Sequence, residues 1–186
     1  EETTGYQLSE PIPGRPPVLC PGCPHRGVFH VLSKMKVFVS GDIGCYTLGA
    51  LPPLAAIDTT LCMGASVSGL HGYVKAAGAE AAKHSVAVIG DSTFIHSGIT
   101  GLINIVYNQS NATVLILDNS ITGMTGHQQN PCTGLTLKNT LAYAVDLEAL
   151  CHSVGVRRVS VVDPFDIDGI ESAVRTELEA EEPSVI

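Results

Sequence analysis

Apolar positions along this chain alternate between two periods. Val28, Val31, Leu32 and Met35 fall three and four apart, the spacing of one helical face. Residues 37–40 form a short apolar run, followed by Gly41-Asp42-Ile43-Gly44-Cys45. Residues 62–77 read as a helix rich in small side chains, opening near Met63-Gly64. Residues 86–89 read as a strand closed by Gly90-Asp91, and Ile99, Leu102, Ile103 and Val106 define the next helical face. Residues 113–117 are a β-branched, apolar strand closed by Asp118-Asn119. Leu147, Leu150, Cys151 and Val154 predict a further helix, and residues 159–162 a strand closed by Asp163-Pro164. Ile167, Ile170, Val174 and Leu178 predict the last helix, after which Ser184-Val185-Ile186 begins another strand.

Strands that are apolar throughout, set between amphipathic helices, imply a three-layer α/β fold: a parallel sheet with helices on both faces. Three of the runs end in an aspartate, at Asp91, Asp118 and Asp163. Ligands in such sheets sit at the carboxyl ends of the strands, so these ends are the first place to look for chemistry. Residues 1–17, polar and then rich in Pro and Gly, read as a tail or linker, and residues 18–186 as one domain. The abrupt close at Val185-Ile186 reads as a fragment of a longer subunit.

Composition narrows the function classes. Hydrophobic residues make up 45% of the 186 and charged residues 15%, which suits a large core and not a disordered chain. A formal charge of −8 argues against a nucleic-acid surface. No run approaches the ~20 apolar residues of a membrane span, and no basic-then-apolar leader is present, so the expected location is cytoplasmic. Six cysteines in a chain able to build its own core read as reduced thiols.

The sharpest candidate chemistry lies between two strand ends. Asp91, in Gly90-Asp91-Ser92, and Asn119, in Asp118-Asn119-Ser120, stand 28 positions apart with one helix between them. Successive parallel strands bring both to one sheet edge, offering a carboxylate and an amide oxygen. Mg²⁺ takes few protein ligands and completes its octahedron with phosphate oxygens, which suits this pair plus the backbone carbonyl of Ile121. Gly90 and Gly123 would let backbone approach closely. The opposing reading makes Asp91 only a helix cap.

This arrangement resembles the thiamine-diphosphate motif, with Ser92 where the family has Gly and Asp118-Asn119 where it has Asn-Asn. The run from Gly90 to Gly98, Leu117-Asp118-Asn119-Ser120 and Thr122-Gly123-Met124-Thr125-Gly126 look more specifically like the indolepyruvate:ferredoxin oxidoreductase family, alpha subunit. So do Cys20-Pro21-Gly22-Cys23-Pro24-His25-Arg26 and Gly41-Asp42-Ile43-Gly44-Cys45-Tyr46. The resemblance spans roughly residues 17–186. It implies a thiamine-diphosphate-binding fold in which Gly90, Asp91, Ser92, Asn119, Ile121, Thr122, Gly123, Met63 and Gly64 contact cofactor. Asp91, Asn119 and the Ile121 carbonyl would hold Mg²⁺.

The implied reaction is oxidative decarboxylation of an aryl 2-oxoacid such as indolepyruvate. Electrons pass through iron–sulfur centres to ferredoxin, and coenzyme A takes the acyl group. The glutamate that activates thiamine comes, in this family, from a separate pyrimidine-binding domain. No strand here ends in Glu, so a domain of the same or a partner subunit, in an oligomer, is expected to supply it. The alternatives are a non-oxidative thiamine-dependent decarboxylase or synthase domain, and a non-catalytic α/β binding module.

Cys20 and Cys23 form a Cys-x-x-Cys pair in a Pro- and Gly-rich loop of the kind iron–sulfur sites use. Zinc, a redox dithiol and inert thiols are the rival readings; zinc would want a second matching pair. The resemblance assigns Cys20, Cys23 and Cys45 to a 4Fe–4S cluster whose fourth ligand lies beyond Ile186. Cys62, Cys132 and Cys151 are expected to pack. His25, His71, His96 and His127 lie near candidate segments, and none carries a signal strong enough for a catalytic role. Asp42 would repel a diphosphate unless it caps a helix or faces away. The small residues at 60–66 open a helix N-terminus that could hold an anion, or simply let another element pack closely.

Overall fold

The structure, a computed structural model, describes residues 13–186. Most of the expected tail therefore lies outside the described residues. Six parallel strands form one sheet in the order β2-β1-β3-β4-β6-β5, comprising β1 (Phe38–Gly41), β2 (Thr59–Thr60), β3 (Ser85–Gly90), β4 (Thr113–Leu117), β5 (Arg158–Val159) and β6 (Ser184–Val185). The helices are α1 (His25–Met35), α2 (Ala65–Ala77), α3 (Ala79–Ala82), α4 (Asp91–Thr93), α5 (Ile99–Tyr107), α6 (Leu147–Ser153) and α7 (Ile167–Leu178). A π turn, Phe94–Gly98, joins α4 to α5 in one continuous helical stretch, and a 3₁₀ turn covers Cys45–Ala50.

The period of two in β3 builds both layers at once. Val86 and Val88 point into a core with Phe29, Val31 and Leu32 of α1 and Val174 of α7. Ala87 and Ile89 point the other way, against Val67 and Leu70 of α2 and Leu102 and Ile105 of α5. Every residue of β3 is buried, because it is covered on both faces and paired to β1 and β4 on both edges. The expected three-layer α/β architecture is what the chain forms.

Two details differ from the expectation. The second helix begins at Ala65, not Cys62, because Gly64 takes a left-handed φ of 84°. In α5, Ile103 faces solvent and Ile105 is buried, so the apolar face is rotated from the one expected. The last strand, β6, begins where expected and pairs with β4 on one side and β5 on the other. It thus lies inside the sheet, which accounts for the full burial of Ser184.

The register aligns the carboxyl ends that matter. Gly90 of β3 lies opposite Leu117 of β4, so Asp91 and Asn119 emerge at one edge. Ser40 of β1 lies opposite Ala87, which brings Asp42 to the same edge. Between β4 and α6 runs a long connection that turns back on itself, with antiparallel bridges Thr122–Gln128 and Leu135–Leu141.

Candidate active site

The strand ends enclose a cavity lined by Met63, Gly90, Asp91, Ser92, Asn119, Ile121, Thr122 and Gly123, together with His25, Cys45, Tyr46 and Met124. Eight of the nine residues expected to contact cofactor therefore share one cavity. Gly64 stands outside that lining. Its missing side chain serves packing instead, because a Cβ there would come within 2.4 Å of Ser97 Oγ.

Asp91 is the electrostatic centre of the cavity. It begins α4 directly after β3 and is only 2% exposed. Asn130 Nδ2 donates to its Oδ2 at 3.0 Å. Among the described residues Asp91 has no ion-pair partner. Burial pushes its pKa above the ordinary carboxylate value, and the nearby Asp118 adds to the rise; the Asn130 amide and local backbone N–H groups pull part of it back. A buried carboxylate without a cation is costly. Asn119 Oδ1 accepts from the Ile121 N–H at 3.2 Å, which fixes the amide beside Asp91. Thr122 Oγ1 donates to Ser92 Oγ at 2.9 Å, tying the loop after β4 to the start of α4. Gly90 is the N-cap of α4, so Asp91 stands one position inside the helix, with its side chain held by Asn130 Nδ2.

Asp42 does the capping. It is fully buried, and its Oδ1 accepts from Ile43 N at 2.8 Å and Gly64 N at 2.9 Å, while Oδ2 accepts from Ser66 N at 2.9 Å. The carboxylate thus takes two of the donors at the start of α2, Gly64 N and Ser66 N, and caps that helix from the end of β1. Gly90, like Gly64, serves packing: a Cβ there would stand 2.4 Å from the Tyr46 ring, so its smallness admits Tyr46. Tyr46 donates from its hydroxyl to Ile43 O at 2.8 Å, and burial pushes its pKa up to about 12. It is a wall of the site, not an acid.

Three cysteines stand on one side. The Cys23 N–H closes a turn on the Cys20 carbonyl at 3.1 Å, and the Arg26 guanidinium holds the carbonyls of Leu19 and Cys20. Burial raises the Cys45 thiol pKa, and the charges of Cys23 and Cys20 add to the rise. Cys45 lines the cavity, and a Cβ on Gly123 would lie 3.3 Å from its Sγ. Among the described residues no three His, Cys, Asp or Glu side chains gather tightly enough for a single metal ion. Of the other thiols, Cys151 is buried as expected, whereas Cys62 is exposed and does not pack. Cys132 lies half-buried beside Asp91, its pKa pushed up to about 11 by burial and by the charges of Asp91 and Asp118.

Only His25 of the four candidate histidines lines the cavity; it is buried edge-on to Tyr46 with ring centroids 6.1 Å apart. His71 bonds Ser110 at 2.7 Å, and His96 and His127 are exposed. Asn130 and Tyr46 are the residues that sequence reasoning passed over. Tyr46 adjoins Cys45, but nothing local marks Asn130 except the following Pro131.

Known proteins resemble this chain in sequence and in fold. The family model described as thiamine pyrophosphate enzyme, C-terminal TPP binding domain, matches residues 42–186. Indolepyruvate oxidoreductase subunit IorA of Thermococcus kodakarensis is 42% identical over 97% of this chain, and the chain covers 30% of that relative. The subunit of the same name from Methanothermobacter thermautotrophicus is 39% identical over 94% of the chain and 29% of its own length. Among solved structures, 2-oxoglutarate:ferredoxin oxidoreductase from Magnetococcus marinus superposes with a TM-score of 0.75 at 17% identity, covering 92% of this chain and 62% of that one. Benzoylformate decarboxylase from Polynucleobacter necessarius gives 0.58 at 17% identity, over 95% and 34% respectively. These two likenesses concern the fold.

Proposed function

This chain belongs to the thiamine pyrophosphate enzyme family as its C-terminal TPP-binding domain, and from that premise we propose that it anchors thiamine diphosphate through Mg²⁺. The carboxylate of Asp91, the amide oxygen of Asn119 and the backbone carbonyl of Ile121 are the metal ligands. The observation that carries the assignment is Asp91 itself: a buried carboxylate with no cationic partner among the described residues, beside an amide oxygen at the same sheet edge. One carboxylate and two neutral oxygens leave room for diphosphate oxygens in an octahedral shell. Bound thiamine diphosphate supplies the carbanion chemistry of decarboxylation.

The chain's own residues hold and shield that cofactor. Ser92 and Thr122 offer hydroxyls, and Met63, Ile121 and Met124 give an apolar wall that limits water. Cys20, Cys23 and Cys45 are three ligands of a 4Fe–4S cluster, with the fourth contributed from outside these residues. Cys45, which lines the cavity, is where electrons would leave.

The whole enzyme is then a cytoplasmic, oligomeric 2-oxoacid:ferredoxin oxidoreductase. It decarboxylates an aryl 2-oxoacid such as indolepyruvate, passes electrons to ferredoxin and transfers the acyl group to coenzyme A. The 42% identity to subunits named indolepyruvate oxidoreductase supports this substrate class. Residues 18–186 act as the pyrophosphate-binding domain, and a pyrimidine-binding domain of the same or a partner subunit brings the activating glutamate. Calorimetric titration of thiamine diphosphate into the full-length enzyme tests the central assignment. Saturable binding that requires Mg²⁺ and is lost in Asp91→Ala is expected. Failure of folded wild type to bind would leave only an α/β domain without a cofactor role.

A further inference from the structure

Resting on the metal assignment above, we propose that Asn130 is a positioning residue that makes Asp91 a one-oxygen ligand and thereby favours Mg²⁺ over Ca²⁺. The side-chain amide of Asn130 donates to Asp91 Oδ2 at 3.0 Å, and both residues are buried. Asn130 is itself locked. Its Oδ1 accepts from Cys132 N at 2.8 Å, and its carbonyl accepts from Thr133 Oγ1 at 2.9 Å and Thr133 N at 3.1 Å. The donor therefore has a fixed direction, and the carboxylate it holds has a fixed rotation. No other side chain donates to this carboxylate among the described residues, and Asp91 lines the cavity.

A carboxylate with one oxygen held by a rigid donor is turned to present its other oxygen first, which disfavours bidentate binding. Mg²⁺ requires near-ideal octahedral geometry and tolerates that arrangement, whereas Ca²⁺ takes six to eight oxygens and gains from bidentate carboxylates. Partners behind a metal ligand change affinity by about 10–100-fold when removed. The Asn130 contact also spans 39 residues of chain, so the far part of the long connection after β4 reaches the site through this amide.

The experiment is metal titration of the full-length enzyme, stripped with chelator and saturated with thiamine diphosphate, comparing Mg²⁺ with Ca²⁺ by calorimetry. Asn130→Asp keeps the oxygen that caps Cys132 while removing the donor to Asp91, and Asn130→Ala removes both. The ratio of Mg²⁺ to Ca²⁺ affinity is expected to fall about tenfold or more in both variants. A ratio equal to wild type, whether both affinities hold or both fall together, overturns the proposal, because a merely structural role weakens both ions alike. Wild type that binds neither ion with cofactor defeats the underlying metal assignment instead, and the proposal with it.

Discussion

Replacing Asp42 with Ala tests whether one buried carboxylate joins β1 to α2. Asp42 is fully buried and accepts three backbone N–H groups, two of them, Gly64 and Ser66, from a helix more than twenty residues away. Truncation leaves those two donors inside the protein without acceptors. Each orphaned buried donor costs about 1–3 kcal/mol, so the loss from the pair is about 2–6 kcal/mol. An ordinary exposed helix cap loses about 1 kcal/mol on the same change. The larger figure is a substantial share of the ~5–15 kcal/mol that holds a typical domain together. Urea denaturation followed by circular dichroism reads the effect as a lower midpoint with an unchanged slope. Asp42→Asn, which keeps one oxygen, is expected to fall between wild type and Asp42→Ala. A loss below about 1 kcal/mol for Asp42→Ala would refute the reasoning, since it would mean that the freed donors find water or other partners at no cost.

Gly64→Ala combines a left-handed backbone at φ 84° with a Cβ 2.4 Å from Ser97 Oγ and 2.8 Å from the Ser97 backbone. Backbone strain of about 1–2 kcal/mol and overpacking of about 1–3 kcal/mol should lower the melting temperature by at least about 4 °C, and an unchanged value would deny the close approach. Burial raises the Asp91 pKa, so the metal-free fold favours the protonated acid. Its contribution to stability is fully present below the ordinary carboxylate value and is lost as pH rises through the raised one. Asp91→Asn should remove that loss and leave the metal-free protein more stable than wild type at neutral pH, measured by denaturation in chelator; equal stability would contradict it. Anaerobically purified full-length enzyme should contain iron and acid-labile sulfide, both diminished in Cys20→Ser, Cys23→Ser and Cys45→Ser. Wild type lacking both would favour a non-oxidative thiamine enzyme.

Local patterning alone determined the layers. Strands apolar at every position, such as residues 113–117, can exist only where both faces are covered, and the helices between them carry one apolar stripe each. Asp91 and Asn119 were legible for the same reason: two successive parallel strands end at one edge whatever the side chains do. The roles of the glycines and of Asp42 were not legible, because each depends on a neighbour distant in sequence. Gly90 is small for Tyr46, Gly64 for Ser97, and Asp42 turns its charge onto α2 instead of toward the cavity. Asn130 lies 39 residues from the carboxylate it holds, within a connection that has no periodic pattern to read. Periodicity reports which face a residue shows, and so it reaches only as far as one element. Which oxygen of Asp91 is held by Asn130, and which donors Asp42 takes, are decided by contacts that form only when the chain has closed on itself.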